Sequence, residues 1–521
     1  MFGKLFNFFI NRLASLANRW DWLGKIVNCI TINAVVNVCR TRPHPWSTVH
    51  DYVSWVSLTD QHWSARHLPA VDRGEELPSP EVLKNLFIRK DGSTVLCKKS
   101  TCLFPAFAQY LTDGFIRTKM PNTSAGEGDD PSRKQNTSNH QIDLCTLYGR
   151  TQEQTDQLRE KSASLGKKGR LKSQQILGEE YSPYLFDDSG SEIKLEFDKL
   201  DLPLQLDRCP QELLKSLFAV GGDRVNSAPQ VAMINTLLLR EHNRLAAEIE
   251  ASNQSWDDER IFQTARNTLI VIFIKVVVEE YINHISPIPF RFRADPEVAW
   301  RAPWNKPNWI TTEFSLLYRW HSLIPDIIRW GGKDYPVQAT LMNNQLLIKG
   351  GLANAFIDMS AQPAGKIGAF NTNSALIDFE VRAISQGRLC RLDSYANYCQ
   401  YVSLNKPKSF NDISKDKDVI EFLEKYYVRP ENVDFYVGLF AEDTLPGSPL
   451  PPLMLRMVAV DAFSQALTNP LLSQHVFNEN TFSCSGWNAI QKTQFLRDIL
   501  MRNCPQGVGS ESISMTRAKT S

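Results

Sequence analysis

The segment Glu313-Phe-Ser-Leu-Leu-Tyr-Arg-Trp-His-Ser-Leu-Ile-Pro325 carries the most specific pattern in this chain. Its apolar spacing predicts a helix over 313–321, on which Tyr318 and His321 would share one face. An imidazole can bind haem iron, and a nearby phenol can lose an electron and a proton to an oxidised haem. The pair is therefore compatible with a haem radical enzyme, but taken alone it does not favour one. The alternative is an ordinary helix end with a terminal histidine and a buried tyrosine, because this spacing is also frequent by chance.

The composition of the 521-residue chain is that of a globular protein with little net charge. Apolar residues make up 42% and charged residues 22%, which is sufficient for a sizeable core. The 58 basic and 57 acidic residues leave a net charge of +1, which argues against a general nucleic-acid binder. The ten cysteines include no C-x-x-C pair, so a structural zinc site is not indicated and free thiols in a reducing compartment are expected.

Helical patterns dominate the rest of the chain. Helices are predicted over 229–250, which opens with a proline, over 258–285 and over 454–467. The second of these is apolar on nearly all faces but contains Lys275, which predicts a buried core helix and not a membrane span. Alternating strand patterns are scarce, so the fold class is mainly α.

Polar stretches separate these helices. Residues 120–139 and 162–173 are rich in Ser, Gly and charge and predict loops, and residues 505–521 predict a flexible tail. The chain lacks a Walker A loop, a dinucleotide-binding G-x-G-x-x-G, an H-E-x-x-H zinc motif and a G-x-S-x-G nucleophile motif. The common hydrolase and nucleotide-binding chemistries are therefore not indicated.

The N-terminal segment has an amphipathic helical pattern. Aromatic residues such as Phe9 and Trp20 follow one stripe, while Arg12 and Arg19 lie off it. No run reaches the ~18 uninterrupted apolar residues of a spanning helix, and the pattern does not suit a signal peptide. Two interpretations remain: a helix lying in a membrane interface, or a helix packed on the core.

Several segments resemble the peroxidase–cyclooxygenase superfamily, which has the animal-type haem peroxidase fold, and its cyclooxygenase and fatty-acid dioxygenase members in particular. They keep the family's order over most of the chain. These segments are His50-Asp-Tyr-Val-Ser-Trp55, Arg66-His-Leu-Pro69, Phe107-Ala-Gln-Tyr-Leu-Thr-Asp113, Ile142-Asp-Leu-Cys-Thr-Leu-Tyr-Gly149, Leu239-Arg-Glu-His-Asn-Arg244, residues 259–281, residues 313–325 and Asp434-Phe-Tyr-Val-Gly-Leu439.

The resemblance implies one large helical haem-peroxidase-like catalytic domain over 46–504, preceded by an amphipathic membrane-binding segment over 1–45. His321 would be the proximal iron ligand, and Tyr436 matches the tyrosine that hydrogen-bonds that ligand. Tyr318 would be the radical residue that takes hydrogen from a fatty acid before O2 adds to the carbon radical.

On the distal side of the haem, Gln109 matches the family's glutamine, but Asp113 stands where the family has its distal histidine. A carboxylate whose pKa is raised by burial can move protons, but it lacks the hydrogen-bond geometry of imidazole, so weak peroxidase activity is expected. Arg224 matches the arginine that stabilises peroxide oxygen. Ser227 and Thr112 replace the residues that form ester links to haem, so non-covalent haem b is expected.

Two further features of the family are incomplete in this chain. Asp143 matches a calcium ligand, but Gly114 replaces its partner aspartate, which leaves the calcium site without one of its ligands. The cysteine-rich module of animal cyclooxygenases is absent, so the dimer contact that it supports is not assumed and a homodimer is left open. His140 is another candidate for the distal pocket, although a structural role is the favoured interpretation.

For the substrate, the resemblance assigns Arg40 to the fatty-acid carboxylate and Ser464 to the wall of the channel. Arg42 is the rival of Arg40. The function expected is a haem-dependent fatty-acid dioxygenase that uses O2, is peripherally attached to a membrane surface and is otherwise cytoplasmic. The alternatives are a haem peroxidase or peroxygenase acting on hydroperoxides or small reductants, and a catalytically silent haem-binding membrane protein.

Overall fold

A computed structural model describes residues 2–39, 48–50, 54–56, 59–73, 77–90, 92–119, 131–504, 507 and 513–518. Helices make up 52% of the chain, well above the roughly one third that is usual in globular proteins. Strands in the described part form only two-stranded sheets. The predicted mainly α class is confirmed.

The α-helices of the described residues are, in chain order, α1 (Phe2–Arg19), α2 (Asp21–Cys39), α3 (Pro80–Leu83), α4 (Leu103–Asp113), α5 (Cys145–Tyr148), α6 (Gln152–Leu158), α7 (Gln211–Leu214), α8 (Pro229–Ser252), α9 (Asp258–Val276), α10 (Asn283–Ile285), α11 (Glu297–Trp300), α12 (Thr312–Leu317), α13 (Val337–Thr340), α14 (Gln345–Gly350), α15 (Leu352–Ala361), α16 (Ile377–Leu389), α17 (Tyr395–Tyr401), α18 (Lys417–Tyr426), α19 (Phe435–Ala441), α20 (Pro452–Leu467), α21 (Glu479–Lys492) and α22 (Leu496–Asn503). The strands are β1 (Leu96–Thr101), β2 (Gln174–Ile176), β3 (Glu179–Tyr181), β4 (Ile327–Trp330), β5 (Lys333–Pro336) and β6 (Pro363–Gly365). They pair antiparallel as β1–β6, β2–β3 and β4–β5.

Helices α8 and α9 form the centre of the core. As predicted, α8 begins at Pro229, whose missing N–H costs nothing in the first turn. Helix α9 continues through a π-helical turn, Val277–Ile282, into α10. This continuous helix is long and apolar enough to cross a membrane, but 78% of its most apolar stretch is buried inside the fold. The prediction of a core helix is therefore confirmed.

The helix predicted over 313–321 is shorter than expected. Helix α12 ends at Leu317, and Trp320 has the non-helical angles φ −88° and ψ 47° before a short 3₁₀ turn begins at His321. The prediction that Tyr318 and His321 share one helical face is therefore wrong. Aromatic packing explains the early end, because the Tyr318 ring stacks on that of Trp320 with the centroids 4.7 Å apart.

The loop and tail predictions have different outcomes. Residues 162–173 contain only turns and an isolated bridge, as predicted, while residues 120–130 of the other loop lie outside the described residues. In the predicted flexible tail, residues 513–518 are instead docked on β1. Ile513 and Met515 are buried, and the Thr101 N–H donates to the Met515 carbonyl at 2.9 Å. The flexible tail was predicted from the average polarity of these residues, which gave no weight to the two apolar side chains that cover the edge of β1.

The N-terminal helices pack directly against the rest of the fold. In α2, Ile32 and Val36 are fully buried against it. The Trp304 indole N–H donates to the Asn33 side-chain oxygen at 2.8 Å, and the Asn28 side chain bonds to the backbone of residue 293. Helix α2 is therefore part of the core. The nine cysteines whose side chains are described are all free thiols.

Candidate active site

Side chains from three parts of the chain keep accessible surface inside an otherwise buried part of the core, and the space next to them is called the cavity below. Gln109 of α4, Arg224, and the turn residues Tyr318, Arg319 and His321 are each partly accessible, while most of their neighbours along the chain are buried. Hydrogen bonds and charge interactions connect the three segments, as described below. The structure thus brings together the predicted radical, proximal and distal residues.

His321 lies on one side of this cavity and is held through one ring nitrogen. Its Nδ1 is 3.0 Å from the Glu380 carboxylate, and its ring stacks on Phe379 at a centroid distance of 5.2 Å. Among the described residues, Nε2 has no hydrogen-bond partner. A histidine whose Nδ1–H is donated to a carboxylate presents the lone pair of Nε2, which is the usual arrangement of a metal ligand.

Glu380, in α16, is completely buried and accepts hydrogen bonds from three groups. Besides His321, the Thr372 hydroxyl donates to it at 3.0 Å and the Tyr436 hydroxyl donates to its second oxygen. Burial, and next the negative charge of Glu380, raise the pKa of Tyr436 well above its usual value, so Tyr436 remains a neutral donor. Glu380 is therefore the shared hydrogen-bond partner of three side chains from different segments.

The direct hydrogen bond from Tyr436 to His321 that the resemblance implied is not formed. Tyr436 reaches His321 only through Glu380. The physical reason is that the Glu380 carboxylate lies between them and accepts the hydrogen bonds that the two groups would otherwise share.

Strand β6 packs closely against the turn that carries His321. A Cβ atom on Gly365 would lie only 2.2 Å from the Ser322 carbonyl oxygen, so only glycine permits this approach. The Asn371 side chain also donates to that oxygen, at 3.3 Å. The residue after His321 therefore cannot move away from the core without losing these contacts.

The Tyr318 hydroxyl is buried and lies close to the hydroxyl of Tyr281, although no described group forms a hydrogen bond of ordinary geometry with it. Burial raises the pKa of Tyr318, the hydrogen-bonding contact with Tyr281 opposes this rise, and the charge of Asp461 adds to it. Tyr318 is therefore a buried, neutral phenol whose polar neighbour is the hydroxyl of Tyr281.

The distal side is built by α4 and the segment before α8. The Gln109 side chain donates to the Ser227 hydroxyl at 3.0 Å. One Asp113 oxygen lies 3.9 Å from Arg224, and the other is buried without a hydrogen-bond partner. Burial raises the pKa of Asp113 to about 6, although the charge of Arg224 opposes this. Asp113 can therefore exchange a proton near neutral pH.

Arg319 provides a cation that has no partner in the described part of the chain. No hydrogen bond or ion pair is formed by its guanidinium there. Burial lowers its pKa, and so do the charges of Arg224 and Arg133, while Tyr436 and Asp113 oppose the change. Groups from both sides of the cavity thus act on Arg319, and this cluster of cations is suited to an anionic ligand.

Of the two predicted substrate residues, the structure describes Ser464 but not Arg40. Ser464 is fully buried in α20, where its hydroxyl donates to the Asp461 carbonyl at 3.0 Å. Asp461 also contacts His67 at 2.9 Å, forming a buried pair that sequence reasoning did not find. Arg40 lies outside the described residues, so its role stays a prediction.

Protein hydrogen bonds occupy the region matched to the calcium site. Asp143 accepts from the Asn139 side chain at 2.7 Å and from the backbone N–H of Cys145 at 2.9 Å. The carbonyl of Gly114 accepts from the Cys145 thiol and the Ser138 hydroxyl. Within the described ranges, no group of three His, Cys, Asp or Glu residues is arranged to hold a metal ion.

His140 has a structural role. One of its ring nitrogens accepts from the Ile310 N–H at 2.9 Å, and the other lies 2.7 Å from the Gln61 carbonyl oxygen. Both nitrogens are therefore used in holding loops together, which agrees with the favoured interpretation.

Sequence reasoning missed two residues of the site. Glu380 occurs in an ordinary amphipathic helix 59 positions after His321, and no motif distinguishes it. Arg319 stands inside the 313–325 segment, and its position between the tyrosine and the histidine was a signal that could have identified it. Neither role can be assigned without the tertiary structure.

Comparison with known proteins places this site in context. Residues 113–513 match the model of the animal haem peroxidase family. The chain is 28% identical to prostaglandin G/H synthase 1 of Mus musculus over 93% of this chain and 80% of that protein. It is 29% identical to prostaglandin G/H synthase 2 of Gallus gallus, over 89% of this chain and 75% of that protein. The crystal structure of the Oryza sativa fatty acid alpha-dioxygenase superposes with a TM-score of 0.69 at 18% identity, covering 88% of this chain and 84% of that one.

Members of this family bind haem, and the residues of the cavity fit such a group. The Nε2 atom of His321 is unengaged and suits the iron, and the unpaired guanidinium of Arg319 suits a propionate carboxylate. Gln109, Asp113 and Arg224 then stand together as polar groups for an oxygen-containing ligand. When bound, haem supplies the oxidising power that no protein side chain has.

Substitution of His321 by Ala should abolish the Soret absorption of haem-loaded protein, because no other described side chain offers an unengaged imidazole to the cavity. The measurement is haem titration followed by absorption spectroscopy, with His62→Ala, an exposed histidine, as control. Added imidazole should restore the band in the His321→Ala variant. An unchanged band without imidazole would contradict the assignment.

Proposed function

Because the chain belongs to the animal haem peroxidase family, we propose that this haem-dependent oxidoreductase is a fatty-acid dioxygenase that works through a radical on Tyr318. The observation that carries the proposal is the placement of Tyr318 and His321 on one cavity. Their side chains are both partly accessible within the core, on either side of Arg319 in the chain, and the buried Tyr318 hydroxyl has the Tyr281 hydroxyl as its polar neighbour. The prostaglandin synthase and alpha-dioxygenase relatives support a fatty-acid substrate.

Tyr318 has the properties that a hydrogen-abstracting residue needs. Loss of one electron and the phenolic proton leaves a neutral radical, which the surrounding rings of Phe314 and Trp320, each with its centroid 4.7 Å away, shield from water. The radical takes a hydrogen atom from the fatty acid, which restores the phenol. O2 then adds to the carbon radical, and a hydrogen atom returned from Tyr318 gives the lipid hydroperoxide and regenerates the tyrosyl radical. Cyclisation before this last step would give an endoperoxide.

The haem is proposed to be haem b held without covalent links. Thr112 cannot serve as an ester-forming residue because it has no carboxyl group, and its hydroxyl donates back to the Ala108 carbonyl at 2.9 Å. Ser227 likewise lacks a carboxyl group and accepts from Gln109. His321 and Arg319 then provide the retaining contacts.

The substrate is proposed to enter with its carboxylate at Arg40 and its chain near Ser464. Ser464 lies in α20 beside Asp461, whose charge reaches Tyr318. This places α20 close to the radical residue. The contact between Asp461 and His67 adds a polar section to this side of the proposed channel.

A peripheral membrane location is also proposed, on the basis of the exposed face of the N-terminal helices. Trp22 is 62% and Ile30 64% exposed, and Leu13 and Trp20 are also exposed large apolar residues. The rings of Trp20 and Trp22 stack at a centroid distance of 6.4 Å. Exposed apolar and tryptophan side chains on these helices suit a helix in a membrane interface, which would bring the protein to its lipid substrate.

A second candidate function is a peroxidase or peroxygenase, and the geometry of Asp113 favours it. Its carboxylate lies beside Arg224 and has a pKa raised to about 6 by burial. In this role Asp113 would accept a proton from a hydroperoxide while Arg224 stabilises the developing negative charge. The dioxygenase proposal does not require this activity to be fast.

Substitution of Tyr318 by Phe should reduce fatty-acid oxygenation to background while haem stays bound, because phenylalanine cannot form the radical. The measurement is O2 uptake with linoleate and arachidonate, with products identified by mass spectrometry. The matched control is Tyr427→Phe, which removes the same atom from a buried tyrosine bonded to Asp434. Unchanged uptake in the Tyr318 variant would exclude this mechanism.

Peroxide-dependent oxidation of a small reductant should rise as the pH increases through about 6, because Asp113 must be ionised to accept a proton. Below that pH the protonated carboxyl group is inactive as a base. In Asp113→Asn the inflection should disappear and the rate should stay low at every pH. An inflection that persists in this variant would assign the titration to another group.

Substitution of Trp22 and Ile30 by Ser should reduce flotation of the protein with liposomes, because each change removes an exposed apolar contact from the proposed membrane face. The control is Leu195→Ser, which changes an even more exposed apolar residue, at 85%, elsewhere on the surface. Point changes are preferable to deletion of α1 and α2, since α2 is part of the core. Equal flotation of all variants would refute the membrane proposal.

A further inference from the structure

We propose that Glu380 is the positioning residue of the haem site, acting through His321 to orient the imidazole and to set the electronic properties of the iron it would bind. The inference rests on His321 being the iron ligand, as in the proposed function. It goes beyond that function because it names a carboxylate, from a different helix, that controls the ligand.

The geometry of the Glu380 carboxylate supports this role. It is completely buried, and its Oε1 lies 3.0 Å from Nδ1 of His321. Thr372 and Tyr436 also donate to this carboxylate. A neutral imidazole that offers Nε2 to a metal carries its proton on Nδ1, so the contact with Glu380 would be a hydrogen bond donated by His321. The tautomer is thereby fixed with Nδ1–H toward Glu380 and the lone pair of Nε2 toward the cavity.

An anionic acceptor on a ligating histidine has an electronic effect as well. Partial withdrawal of the Nδ1 proton increases the electron density on Nε2, which makes the imidazole a stronger donor to iron and favours the higher oxidation states. A neutral acceptor would have a smaller effect. Burial increases the effect, since little water is present to screen the charge.

The other donors to Glu380 should moderate this effect. Thr372 donates to Oε1, the same oxygen that accepts from His321, and so competes for its electron density. Tyr436 donates to Oε2. Removing the Thr372 hydroxyl should therefore strengthen the bond from His321 to Glu380, whereas neutralising Glu380 should weaken it. A residue with a merely structural role would not produce changes of opposite sign.

The test uses full-length, haem-loaded protein and compares Glu380→Gln with Thr372→Val. The readouts are the iron–imidazole stretching frequency of the ferrous protein, the iron midpoint potential and the haem dissociation constant. Glu380→Gln should lower the frequency, raise the potential and weaken haem binding by about 10–100-fold, the usual effect of losing such a partner. Thr372→Val should shift frequency and potential in the opposite directions.

The matched control is Glu313→Gln, which neutralises an equally buried carboxylate in α12. Glu313 accepts from the Tyr398 hydroxyl at 2.5 Å and does not contact His321. This variant should keep the wild-type frequency and potential, even if its thermal stability decreases.

The outcomes separate this inference from the function it rests on. Wild-type frequency and potential in Glu380→Gln, or shifts of the same sign in both variants, would overturn the role of Glu380. If Glu380→Gln does not fold, Thr372→Val alone still tests the inference, because an unchanged frequency in that variant contradicts it. Persistence of the iron–imidazole band in His321→Ala would instead refute the ligand assignment itself.

Discussion

The hydrogen bond between His321 and Glu380 joins segments of the fold that are far apart along the chain. Glu380 comes from α16, His321 from the turn after α12, Thr372 from the segment after β6 and Tyr436 from α19. A buried carboxylate is strongly unfavourable unless its oxygens are satisfied, and removal of one partner from such a group is costly. Separation of these segments would leave the buried carboxylate without its hydrogen-bond partners. The position of His321 therefore depends on the packing of the whole core and not on its own turn alone.

The position of Tyr318 depends on two interruptions of regular α-helix, the end of α12 and the π-helical turn after α9. Helix α12 ends one residue before Tyr318, and the phenol then lies between the rings of Phe314 and Trp320. On the opposite side, the π-helical turn after α9 carries Tyr281 toward it. Both departures from regular α-helix occur at the candidate site, where irregular backbone is used to aim a side chain.

The local charge of the cavity differs from that of the whole molecule. The net charge is +1, yet the charges of Arg133 and Arg224 both act on Arg319 here, with Asp113 as the nearby anion. Burial makes these charges more effective than they would be at the surface. The same burial raises the pKa of Asp113, so one environment both attracts an anionic ligand and prepares a proton acceptor.

The amino-acid sequence was sufficient to predict a mainly α fold, the core helices α8, α9 and α20, and the pairing of Tyr318 with His321, because apolar periodicity and short motifs are local properties of a chain. It was not sufficient for the geometry of that pair, since the end of α12 results from aromatic packing. It also could not reveal Glu380, nor the insertion of its carboxylate between His321 and Tyr436, because those residues are far apart along the chain and meet only when α16 and α19 pack. Docking of residues 513–518 on β1 was hidden for the same reason: a contact between distant segments leaves no periodic pattern in either of them.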